Sequence, residues 1–85
     1  MDTGIGQVTH YFNHIGVAVL QLNGELKVGD TVRFVGHAHE FTQTVASMEI
    51  EHKKVSSAGP GMEVALKTVE PVHKGDTLFI VSPDK

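Results

Sequence analysis

The stretch Met48-Glu49-Ile50-Glu51-His52-Lys53-Lys54 gathers side chains that could do chemistry. Glu49 and Glu51 stand two apart, which puts both carboxylates on one face of an extended strand and His52 on the other. Paired carboxylates can do acid–base work, but only in a cleft that shifts their pKa values. Met48 and Ile50 take the inward positions of the same strand, so both glutamates are expected outside, on a solvated face. Lys53 and Lys54 follow directly. With Tyr11, Phe12 or Phe41 they could form a surface that stacks bases and neutralises phosphate. The sequence therefore marks Glu49, Glu51, His52, Lys53 and Lys54 as a face for RNA or a protein partner, with no catalytic residue among them.

Other chemistries find little support. His37 and His39, at i and i+2, point the same way on an extended segment, and His10, His14 or His52 could complete a three-nitrogen zinc site. The sequence contains no Cys and no signature carboxylate spacing, so these imidazoles read as solvated, and no metal or other cofactor is expected. Gly59-Pro60-Gly61 lacks the Lys and the helix of a phosphate-binding loop and reads as a turn, so no nucleotide is expected. No Gly-x-Ser-x-Gly elbow is present. The expectation is a protein that is not an enzyme.

Composition sets the frame for these residues. A chain of 85 residues is one domain with room for a single core. Its 40% hydrophobic and 20% charged residues are those of an ordinary globule. Zero Cys removes disulfides and thiol nucleophiles. A formal charge of −3 excludes bulk electrostatic adhesion to nucleic acid, so RNA contact would need a local patch around Lys53-Lys54. No apolar run approaches the roughly 20 residues that span a bilayer. Met1-Asp2-Thr3-Gly4 lacks the parts of a secretory signal, and a cytoplasmic location is the expectation.

The elements that must position the face are strands. Leu26-Lys27-Val28-Gly29-Asp30-Thr31-Val32 and Pro71-Val72-His73-Lys74-Gly75-Asp76-Thr77-Leu78 are near-copies, each reading as a Gly-Asp-Thr turn that launches a strand. Ile5–Phe12 is rich in β-formers, and Ile15–Leu22 is nearly continuous in apolar residues, as for a strand covered on both faces. Asn23-Gly24 signals a type I′ hairpin. Residues 41–51 read as one long strand whose apolar parity changes, with a bulge expected near Ala46-Ser47. His52-Lys53-Lys54-Val55 suits an edge strand, 56–61 a loop, and Met62, Val64 and Leu66 alternate inward. Thr77–Val81 closes the pattern, and 82–85 is a tail.

In their order along the chain, several landmarks resemble a known family: Gly6-Gln7-Val8, Gly16-Val17, both Gly-Asp-Thr phrases, Val45-Ala46-Ser47-Met48-Glu49-Ile50 and Ala58-Gly59-Pro60-Gly61-Met62-Glu63-Val64. They are similar to the β-barrel domain that follows the GTPase domain in elongation factor Tu and initiation factor 2. Val8-Thr9-His10-Tyr11 and Phe41-Thr42-Gln43-Thr44-Val45 are closer still to small elongation factor-like proteins and to the C-terminal barrel of collagenase-like peptidases. Some of those peptidase relatives act in RNA modification; their catalytic part has no counterpart here. The resemblance implies that the segment around Glu49 corresponds to one that holds the 3′ end of aminoacyl-tRNA. Glu49 matches the family's glutamate, but His52 stands at its arginine and Glu63 at its asparagine. A fixed cation is lost and a carboxylate gained, which works against a phosphate.

Together these readings give an all-β, closed, six- or seven-stranded antiparallel Greek-key barrel of the translation-protein type. It is a single domain over residues 1–85, ordered over about 4–81. The expected role is that of a non-enzymatic binding module linked to translation or RNA processing, with tRNA, the ribosome or a translation-related protein as partner. The rival expectation is a protein–protein adaptor that touches no RNA, and a weaker one is a histidine metal-binding protein.

Overall fold

A computed structural model describes residues 2–37 and 39–81 of the chain. The tail expected over 82–85 lies outside them. The strands are β1 (Asp2–Phe12), β2 (Val17–Leu22), β3 (Leu26–Lys27), β4 (Thr31–Val35), β5 (Glu40–Thr44), β6 (Met48–Ile50), β7 (Lys53–Val55), β8 (Ser57–Ala58), β9 (Glu63–Lys67) and β10 (Thr77–Val81). The described residues form no helix, and so none long and apolar enough to cross a membrane.

Both Gly-Asp-Thr phrases make the same corner, for the same physical reason. Gly29 and Gly75 take φ values of 98° and 96°, open only to a residue without a Cβ. The Asp30 N–H donates to the Lys27 carbonyl at 3.1 Å, and the Asp76 N–H to that of His73 at 3.0 Å. Each Asp carboxylate then accepts the N–H of the turn's first residue, Lys27 or His73, at 2.9 Å. The strands launched, β4 and β10, pair antiparallel with Phe34 opposite Leu78. Asp76→Ala is expected to cost about 1 kcal/mol, the worth of one such bond, as read by urea unfolding. Asp30→Ala should cost a similar amount.

An eight-stranded sheet runs β5-β4-β10-β1-β2-β9-β6-β7, and β3 pairs β8 in a separate ribbon. Every pairing is antiparallel. The all-β class is as expected, but the closed barrel of six or seven strands is not what forms. The described residues form ten strands, and no ladder among them joins β5 to β7. The reason lies in residues 45–47. Instead of a bulge in one long strand, the chain leaves β5 at one edge and re-enters as β6 near the other. The parity change is real and serves its purpose: Phe41, Val45 and Met48 are buried and Ile50 packs against them.

Turns and one side chain do what a closing ladder would do. Val45 exchanges backbone bonds with Gly29 and Asp30 at 2.9 and 2.8 Å, and the Val28 N–H donates to the Ser56 carbonyl at 2.9 Å. Gln43, buried on β5, donates from Nε2 to the Lys67 carbonyl at 2.9 Å and accepts the Val69 N–H on Oε1 at 2.8 Å. A side-chain amide thus stands in for a strand's peptide group. Between these bonds, the Thr68 N–H donates to the Gly16 carbonyl at 2.9 Å.

The expected type I′ turn at Asn23-Gly24 does not form. Neither residue has positive φ, and β3 pairs with β8 instead of folding back on β2. Gly24 answers a different need, because a Cβ there would lie 2.9 Å from Ile5 Cγ2, while the Asn23 N–H donates to the Ile5 carbonyl at 2.7 Å. The core is one cluster that includes Val8, Leu20, Leu22, Phe34, Leu66 and Leu78. Burial of each such side chain contributes roughly 1.5–3 kcal/mol.

Candidate binding groove

Alternation along β2 sends Ala18, Leu20 and Leu22 into the core and leaves Val17 and Val19 half-buried on the opposite face. On β9, Val64 and Leu66 point inward and Ala65 outward, paired with Val19. On β6, Met48 is buried and Glu49 lies across the ladder from Ala65. The outer face of these strands is therefore apolar at Val17, Val19 and Ala65, where a solvated sheet face would carry polar side chains. Sequence alone suggested a β2 covered on both faces. The core covers one of them, and the other floors an open groove.

That groove encloses about 510 Å³, within the size range of ligand sites. The β1–β2 turn raises Phe12 and Ile15 along one wall, 49% and 62% exposed. Met62 stands at the rim, 41% exposed. The inward position expected for Met62 is thus overturned. A turn with Gly61 at φ 85° swings the side chain out, and its sulfur accepts the Gly59 N–H at 3.3 Å. Glu49, Glu51, His52 and Glu63 complete the rim. Beyond Glu49 a second depression shares Ile15, Val17 and Ala65 and ends at Ser47 and Lys67.

The turn joining β6 to β7 sets Glu51 and His52 at the rim. Ile50 pairs with Lys53, leaving a two-residue loop whose φ values are 51° and 67°. Two successive left-handed residues make a type I′ turn, which Asn-Gly fills with least strain. Glu and His there cost stability that nothing in the core requires. Replacing the pair by Asn-Gly (Glu51→Asn with His52→Gly) is expected to raise stability by about 1–2 kcal/mol, read as a higher Tm.

The five residues singled out in sequence thus divide. Glu49, Glu51 and His52 meet at the groove, Glu49 half-buried and the other two exposed, whereas Lys53 and Lys54 lie on edge strand β7 outside it. Lys54 stands directly across the ladder from Glu49. Glu49 and Glu51 do not share a strand face as expected, because the strand ends at Ile50. The groove also takes in residues not singled out as site residues, among them Glu63, Phe12, Ile15 and Met62 along its rim and walls and Val17, Val19 and Ala65 on its floor. The Thr9 hydroxyl has one proton to donate, either to the Val19 carbonyl at 3.1 Å or to Glu63 Oε2 at 3.3 Å. This exposed hydroxyl–carboxylate pair has no third group of a nucleophilic triad. Of the histidines considered for a metal, His39 pairs with Glu70 at 2.8 Å. Among the described residues no three potential ligands converge.

Fold and groove together define a class: a small antiparallel β domain with a ligand-sized depression on the outer face of its sheet. The chain belongs to the elongation factor G domain 2 family, whose family model matches residues 13–81. It is also similar to a protein of Methanocaldococcus jannaschii named as an uncharacterized protease, with 33% identity over 78 residues. That match takes in 91% of this chain but 19% of the relative, so the chain spans about one fifth of the relative's length. Two crystal structures of the C-terminal domain of a Geobacillus thermoleovorans putative U32 peptidase superpose with TM-scores of 0.87 and 0.85, each at 25% identity. The first covers 92% of this chain and 91% of that domain, the second 89% and 96%.

Proposed function

We propose that this protein is a non-enzymatic binding module that works beside translation or RNA-processing machinery and engages a protein component of it through the groove. The carrying observation is the composition of the groove: an apolar floor of Val17, Val19 and Ala65 under a rim with three carboxylates. Carboxylates at Glu49, Glu51 and Glu63 repel phosphate, so the groove suits protein better than an RNA backbone. Likeness to elongation factor G domain 2 supports the translation link, and likeness to peptidase C-terminal domains supports an accessory role. A cytoplasmic setting belongs to the same proposal.

RNA contact is left to Lys53 and Lys54 on the edge strand, where two cations give weak, salt-sensitive attraction. Titration of isotopically labelled protein with bulk tRNA, followed by amide shifts, tests this division. Shifts at low salt should centre on β7, vanish at physiological salt, and be lost in the Lys53→Ala, Lys54→Ala double variant. Localised shifts around residues 49–55 that persist at physiological salt would instead make this an RNA module and overturn the protein-partner reading.

A further inference from the structure

The groove's chemistry also specifies its occupant, given the binding-module reading on which this inference rests. Among the described large apolar side chains that stand exposed, Phe12, Ile15 and Met62 surround this one depression. Its floor is the outer face of β2 and β9, where Val17 and Val19, on a strand whose sequence reads as covered on both faces, form an apolar surface with Ala65. Three carboxylates ring the end nearest the β6–β7 turn: Glu49, Glu51 and Glu63. His52 is the one basic group lining that end, and Lys67 closes the far depression. Strain points the same way, since Glu51 and His52 occupy left-handed positions at the rim that Asn-Gly would fill more cheaply.

We propose that the groove docks a cationic amphipathic segment of a partner protein: one large apolar side chain seated on Val17, Val19 and Ala65, flanked by lysine or arginine facing Glu49, Glu51 and Glu63. The apolar side chain supplies the area removed from water, and the flanking cations supply charge complementarity and select against acidic segments. An anion is excluded from the same place by the rim that admits the cation.

Two hexapeptides test this on the labelled full chain. One has a Phe-Leu centre flanked on both sides by Lys and Arg, and the other has the same centre flanked by Glu and Asp. The basic-flanked peptide should shift Val17, Val19, Glu49, Glu63 and Ala65, weaken as salt rises, and leave β4 and β5 unmoved. Glu49→Gln and Glu63→Gln should each lower its affinity about threefold, the scale of one exposed ion pair. Equal binding of both peptides, shifts away from the groove, or no binding of either at millimolar concentration would overturn the assignment. The same would follow if tRNA moved these groove amides instead. Absence of peptide binding sinks only this occupant. The module reading falls separately, if a groove substitution such as Ala65→Glu changes no interaction of the protein in extract.

Discussion

Phe34→Ala is expected to remove about 3–5 kcal/mol of stability, the cost of truncating a fully buried aromatic and leaving its cavity. Phe34 is 1% exposed on β4, with Leu78 opposite on one side and Phe41 opposite on the other. Its ring stacks on Phe41 with centroids 5.1 Å apart, so truncation also forfeits an aromatic contact. Domains of this kind hold roughly 5–15 kcal/mol in total, so the variant should stand near the edge of folding at room temperature. Urea unfolding gives the number. Phe34→Leu refills most of the space and should cost roughly half as much. A loss below about 1 kcal/mol for the alanine variant would mean that β4, β5 and β10 do not share this core.

Gln43→Ala should cost about 2–4 kcal/mol although it removes little apolar surface. The side chain makes two bonds to backbone, to the Lys67 carbonyl and from the Val69 N–H, across the gap that no ladder closes. Removal strands both groups in a half-buried setting, at about 1–3 kcal/mol for each orphan. The loss should be local before it is global. Amide exchange at Val69 and along β5 should accelerate more than exchange on β1 or β2. Gln43→Glu keeps the acceptor for Val69 but sets a buried carboxylate against the Lys67 carbonyl oxygen, and should cost at least as much as Gln43→Ala. Uniform acceleration across the sheet would show that Gln43 is ordinary packing and not a tie between edge strand β5 and the end of β9.

Sequence legibility followed the range of the interaction. Both Gly-Asp-Thr corners were readable because a turn's φ and its Asp bond are decided within four residues. The strands they launch follow as expected, β4 at Thr31–Val35 and β10 at Thr77–Val81. Asn23-Gly24 misled because local statistics cannot see Ile5, whose side chain is what makes glycine necessary there. The parity change after Val45 was visible, but a bulge and a crossing to the far edge give the same pattern of buried residues. Closure failed for a related reason: Gln43, a polar residue at an inward position, carries the bonds that a ladder was expected to supply.

The site was legible in proportion to its contiguity. Glu49, Glu51 and His52 come together because a hairpin holds them, and their sequence proximity was enough to find them. Ile15 and Met62 join from distant segments, and the apolar character that suggests a core gives no sign that they stand exposed, whereas Phe12 is among the aromatics offered for a surface. The near-continuous apolar run of β2 was the signal available. It announced a second covered face, and in the structure that face floors an open groove.

Site-specific photocrosslinking tests the groove most directly. A benzophenone side chain replaces Ile15 on the groove wall or, for comparison, Thr42, which is exposed on β5. Each full-length variant is irradiated in nuclease-treated extract. A protein-binding groove predicts a discrete protein adduct from position 15 that survives nuclease and is absent from position 42. Adducts that disappear with nuclease, or that form equally from both positions, would contradict it.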